Sequence, residues 1–351
     1  MKSPGALVSV LVLSAFYLPA AAPALAEEKT PQNGFHITES EAMIRVSGEA
    51  LDFSVRKTGY VSGVAEGSFV DKKSGFHDPG YGLDIVDFLL EPGSDESDRD
   101  RLPEDLRYDF GNNFHGKRAK RIVEGPQICT HAKALTPSIV NGPDFVAIRQ
   151  SWTYTEAAPG IHPGSTWEQT LVFPRGCRYF IAADRMTVAN DSPALAFRID
   201  LPGHIRHHGG DTFSEVYLSY FGRIPAREFA TDFAPDEKFN YRRDSGPVPE
   251  RMIRAYHLRD PKTGANGPWL AGLTLDPAAV SEAWCHERGY VCFIEEIGER
   301  PMKAGDSFGA AYIIGYFDSI DEMNAVYDQY KGHTRLSVSP EKWELTAMSH
   351  R

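Results

Sequence analysis

Apolar and polar residues alternate with a period of two along most of the chain, the pattern of half-buried β-strands. Between Phe35 and Leu90 the stretch MIRVSGEALDFSVRKTGYVSGVAEGSFVDKKSGFHDPGYGLDIVDFLL shows it, and Gly48, Gly59, Gly63, Gly67, Gly75, Gly80 and Gly82 interrupt it at turn-like intervals. Further strand-like segments follow at 145–155, 165–173, 177–190, 197–203, 252–258, 269–275 and 308–317. In WEQTLVF the alternation sets Trp167, Gln169 and Leu171 on one face and Glu168 and Thr170 on the other. One segment breaks the pattern: SIDEMNAVYDQYKG predicts a helix over 319–331, capped by Ser319 or Asp321, with Met323, Val326 and Tyr330 on one face and Gly332 as its stop. With no internal repeat and no linker, the expectation is a single all-β domain of antiparallel sheets over residues 27–351.

Residues 1–26 have a different character. Lys2, the apolar run Ala6–Leu18 and the small-residue site Ala24-Leu25-Ala26 read as an export signal cleaved near Ala26, which places the mature chain in the periplasm or outside the cell. The run is too short and too broken by Pro4 and Pro19 for a membrane span, and none is expected elsewhere. Cleavage removes one cation and no acid, taking the formal net charge from −11 to −12. That balance argues against nucleic acid as a partner. It leaves an anionic small molecule open, because a local pocket can be basic on an acidic protein. Of the four cysteines, Cys285 and Cys292 flank Arg288-Gly289, and a two-residue turn there would make them direct cross-strand partners in an oxidising compartment. No cofactor is called for. A structural calcium is left open by the ten acids of residues 84–109, although EF-hand spacing is absent.

Three segments carry candidate chemistry. LPGHIRHHGGDTFSEVY (201–217) sets His204, Arg206, His207 and His208 beside Gly209-Gly210, where a loop can bring proton carriers and a guanidinium to a ligand. Residues 108–133 offer Tyr108, Asn113, His115, Lys117 and Gln127, a mixture suited to a sugar carboxylate. In YVCFIEEIG, one of Glu295 and Glu296 must face inward among apolar neighbours, where a raised pKa would suit a general base. There is no GxSxG, HExxH, P-loop or GxGxxG.

With WEQTLVFPRGCRYF, the histidine-rich turn and WCHERGYVCFIEE in view, the chain resembles the galactose mutarotase-like β-supersandwich class over most of residues 35–335. The resemblance implies a twisted antiparallel sandwich that binds sugar across one concave face. In the epimerases of that class two histidines and a glutamate work at the anomeric centre; their analogues here would be His115, one of His204, His207 and His208, and Glu295 or Glu296. The resulting expectation is an exported enzyme acting on an acidic glycan by β-elimination. Arg206, Asn113 and Lys117 would neutralise a uronate, His207 or His115 would be base, and Tyr108 or Tyr217 acid. His208, Gln127 and Trp167 would complete the substrate contacts. The alternatives are a glycoside hydrolase with a carboxylate pair, Glu295 or Glu296 with Asp211 or Glu168, an epimerase-like enzyme, or a non-catalytic glycan binder.

Overall fold

The computed structural model describes residues 27–32, 34–93, 120–125, 127–235 and 237–347. His115, Tyr108, Asn113, Lys117 and the leader 1–26 lie outside the described residues.

The described chain is all-β and antiparallel. A nine-stranded and an eight-stranded sheet dominate, and a five-stranded sheet forms from the N-terminal strands between Glu27 and Asp71. Alternation decides what lies between the two large sheets. Trp167, Leu171, Phe180, Ala182 and Tyr312 of the nine-stranded sheet meet Phe197, Ile199, Cys285, Phe293 and Ile297 of the eight-stranded one in a single apolar cluster. Trp167, Gln169 and Leu171 share the buried face, as the period of two requires.

Part of the far side of the nine-stranded sheet is apolar as well, with Ile181, Leu273, Ile313 and Phe317 in a second cluster. It is covered by the Ile320–Tyr330 helix and the hairpin of Arg335–Val338 with Trp343–Thr346. The helix begins where expected, with Ser319 Oγ accepting from the Glu322 amide at 3.1 Å. Its buried stripe is Met323 and Tyr327, while Val326 and Tyr330 pack at the margin.

That cover of the nine-stranded sheet is partial: at the other end of the same face Arg149, Ser151, Glu168 and Arg185 are exposed and edge a groove of about 590 Å³. The outer face of the eight-stranded sheet differs in kind: Asp87, Arg198, Asp200, Glu282, Trp284, His286 and Glu296 are charged or aromatic and yet buried.

The expected Cys285–Cys292 bridge does not form, and all four cysteines are free thiols. Cys285 pairs with Phe293 and Cys292 with His286. The connection between the two strands is one residue longer than a two-residue turn, so the register slips by one and the sulfurs take opposite faces. Cys285 enters the core between the sheets, and Cys292 joins Trp284, Ile294 and Tyr290 on the outer face.

Candidate functional site

Four adjacent strands build the outer face of the eight-stranded sheet: Ile85–Pro92, Ser192–Asp200, Tyr290–Met302 and Val280–Glu287. A bulge turns Asp87 toward it. Leu89 pairs with Phe197 and Val86 with Ile199, so Asp87 and Phe88 together stand opposite Arg198.

One end of the face is a buried row of charge. Arg198 donates to Glu296 Oε1 at 3.0 Å, directly across the pair of strands. Lys120 reaches Glu296 at 2.6 Å, Glu299 at 3.4 Å and Glu282 at 3.6 Å. Arg242 closes the row on Glu282 at 2.8 Å. Burial opposes the charge of Lys120, but the carboxylates of Glu296 and Glu282 hold its pKa above the ordinary lysine value. Burial with the neighbouring Glu296 charge raises Glu282.

The other end carries groups able to hold or move a proton. Asp200 accepts from His204 Nε2 at 2.9 Å and from the Cys292 thiol at 3.3 Å. Asp87 accepts from Gln127 Nε2 at 2.6 Å and from the Cys129 thiol at 3.3 Å. Burial, then the Asp200 charge, pushes Asp87 up to about 6. For His204 burial opposes the imidazolium, yet the Asp200 carboxylate beside it raises the pKa overall. His286 goes the other way: burial, then the His204, Arg288 and Arg198 charges, lowers it to about 3, so its ring is neutral at physiological pH. Tyr81, His204 and Tyr290 meet edge to face with centroids 5.3–5.8 Å apart, and His286 packs on Tyr290 at 5.6 Å. Close backbone contact holds the His204 turn in place: a Cβ at Gly80 would lie 1.6 Å from the His204 carbonyl oxygen, and one at Gly203 would lie 2.1 Å from that of Gly82.

The expected site residues are dispersed. His204 and Gln127 lie within this face. His207 is buried nearby, but its Nε2 donates to Glu287 at 2.8 Å while its Nδ1 accepts the Gly210 amide at 2.7 Å, so both ring nitrogens are engaged. Arg206 points to the surface, pairs with Glu66 at 2.6 Å and lies 3.8 Å over the Tyr81 ring. His208 is exposed, with its backbone amide on Asp211 at 2.5 Å. Glu295 faces the core between the sheets, its Oε2 accepting from the Thr274 hydroxyl at 2.5 Å, and burial pushes it up to about 7 against the opposing pull of Arg254. Trp167 is fully buried with its Nε1 on Asp184 at 2.7 Å, which removes it as a stacking platform for substrate. Sequence reasoning passed over Asp87, Lys120, Arg198, Asp200, Glu282 and Cys292 as functional groups. A signal for several existed: isolated charges inside the apolar strands LDIVDFLL, AFRID and VSEAWCHE.

No protein-family model matches the chain, and no curated protein is significantly similar to it. Solved structures are similar in fold, at a distance. A candidate aldose 1-epimerase of Klebsiella pneumoniae is 9% identical over 84% of this chain and 87% of its own, with a TM-score of 0.43. An alpha-mannosidase of Enterococcus faecalis is 9% identical over 90% of this chain and 32% of its own, at 0.42. A candidate aldose 1-epimerase of Escherichia coli K12 is 8% identical over 81% and 99%, at 0.35.

Proposed function

We propose that the protein is a carbohydrate-active enzyme of the aldose epimerase kind, handling a sugar ring on the outer face of the eight-stranded sheet. The observation that carries this reading is the His204–Asp200 pair standing against Tyr81 and Tyr290, on the charged and aromatic outer face of the eight-stranded sheet. Sugars suit such a surface: their C–H faces lie on aromatic rings, and their hydroxyls bridge carboxylates and cations. Opening and reclosing the ring at the anomeric carbon requires one group that takes the hydroxyl proton and one that protonates the ring oxygen. A histidine bonded to a carboxylate, with a second carboxylate at Asp87, supplies groups of that type.

The other reaction classes lose parts. For a hydrolase pairing Glu295 or Glu296 with Asp211 or Glu168 there is less support: Glu295 bonds Thr274 in the core, Glu296 is held by Arg198 and Lys120, and Glu168 is exposed beside Arg185 at 3.7 Å. Elimination on a uronate keeps one supporting observation, a cavity of about 560 Å³ edged by His77, Arg206, His208, Arg259 and Lys262. Arg206, Arg259 and Lys262 suit an anionic glycan, with Asp211 and Asp260 opposing them.

A substrate panel separates the three readings. Faster exchange between the anomers of a free aldose, followed by NMR, supports the epimerase reading. Ultraviolet absorbance from an unsaturated uronate on acidic polysaccharides would replace it with elimination, and reducing ends released without that absorbance would replace it with hydrolysis.

A further inference from the structure

The geometry points to a binding site for one zinc-like divalent cation formed by Asp200, His204 and Cys292. One ligand atom from each of these side chains lies within 4.8 Å of both others. His204 Nε2 and Asp200 Oδ2 are 2.9 Å apart, and Cys292 Sγ and Asp200 Oδ1 are 3.3 Å apart. Donors at zinc's usual bond lengths around a tetrahedral ion stand roughly 3.4 Å from one another. Seating a cation therefore asks the three side chains to draw in from within 4.8 Å of one another toward that spacing, a side-chain movement with no change of fold.

The donor set discriminates among metals. A thiol and an imidazole select zinc and its neighbours among the later transition metals over calcium or magnesium, which require oxygen ligands. Three protein ligands leave a tetrahedral ion one open position, the arrangement of catalytic rather than structural zinc. A second thiol–carboxylate pair, Cys129 with Asp87, stands beside the first, and Gln127 orients that carboxylate. Two thiols thus stay unbridged beside two carboxylates on a single sheet face. The registry slip that prevents the Cys285–Cys292 bridge is what delivers Cys292 to it.

The site concerns the proposed sugar face but does not rest on the sugar reading, since metal binding is read without any substrate. An ion bound there would take a sugar hydroxyl or carbonyl oxygen at its open position, so the substrate class would be a polyhydroxylated ligand that offers oxygen to a Lewis acid.

The test uses the full mature chain, reduced and stripped with chelator, then titrated with Co²⁺ and with Zn²⁺. The expected result is one ion per chain, with a cobalt–thiolate charge-transfer band. Cys292→Ser should abolish the band and weaken Zn²⁺ binding by at least about tenfold, because even residues that only support a ligand cost 10- to 100-fold when lost. His204→Ala should weaken it likewise, and Cys177→Ser, on a remote turn, should leave both unchanged. X-ray absorption of the zinc-loaded wild type needs no variant and should show sulfur together with nitrogen or oxygen around the metal. Failure of the natively folded wild type to take up an ion, binding unchanged in Cys292→Ser and His204→Ala, or a shell without sulfur overturns the site. Anomer exchange that persists in the stripped protein leaves the sugar reading standing while the metal site is decided by the titration alone.

Discussion

Single residues set both the shape of the site and its response to pH. Gly80 is needed for close approach, since its Cβ would meet the His204 carbonyl oxygen at 1.6 Å, whereas a Cβ at Gly246 meets nothing within 4 Å. Gly80→Ala is accordingly expected to lower the melting temperature by several degrees and Gly246→Ala to leave it nearly unchanged, by differential scanning calorimetry. Glu295 supplies a second residue-level outcome. Burial raises its pKa from the ordinary glutamate value of 4.5 to about 7 in the folded protein. Between those values the unfolded chain loses the proton that the folded one keeps, so this residue's contribution is fully present below about pH 4.5 and is lost as pH rises toward 7. At one pKa unit per 1.36 kcal/mol the change is on the order of 3 kcal/mol. Glu295→Gln should flatten the fall in urea stability over that window; an unchanged pH profile would show that Glu295 is ionised in the fold. The sequence shows that one of two adjacent glutamates in a strand must face inward. Which one does depends on strand pairing that only the folded sheet supplies.

At the scale of elements, register decides what chemistry the face presents. Arg198 stands opposite Glu296 and Glu296 opposite Glu282, which brings the buried charges into one row with Lys120 between the carboxylates. Removing one member of such a row leaves charge buried without compensation, at a typical cost of about 3–5 kcal/mol. Lys120→Met is therefore expected to lower stability by that amount in urea melts, and a loss below about 1 kcal/mol would show the row to be solvated. The Ser319 cap is smaller in scale: Ser319→Ala should cost about 1 kcal/mol. Helix position, cap and strand alternation were readable from local sequence because neighbouring residues set them. The Cys285–Cys292 pairing was not, because one additional residue in the turn moves every later partner by one. The charge row was hidden for a similar reason, as its members come from strands far apart in sequence.

For the whole molecule, the distribution of polarity over four sheet faces tells most about function. Two faces meet in the core, one is covered in part by the helix and the C-terminal hairpin and exposes Arg149, Glu168 and Arg185 beyond them, and one carries the buried Asp87, Arg198, Asp200, Glu282, His286 and Glu296. The all-β antiparallel plan was visible in the period of two and in the glycine spacing. The candidate face was not, since it gathers side chains from strands more than one hundred residues apart. The central claim is that chemistry takes place around Asp200 and His204. The most direct measurement is NMR anomer exchange on the responsive aldose with wild type, Asp200→Asn, His204→Ala and His207→Ala in parallel. The account predicts that the Asp200 and His204 variants fall by about 100-fold or more, the usual scale for removing a general acid or base, with little change in melting temperature. Full activity in both of those variants, or activity lost in His207→Ala alone, would contradict it.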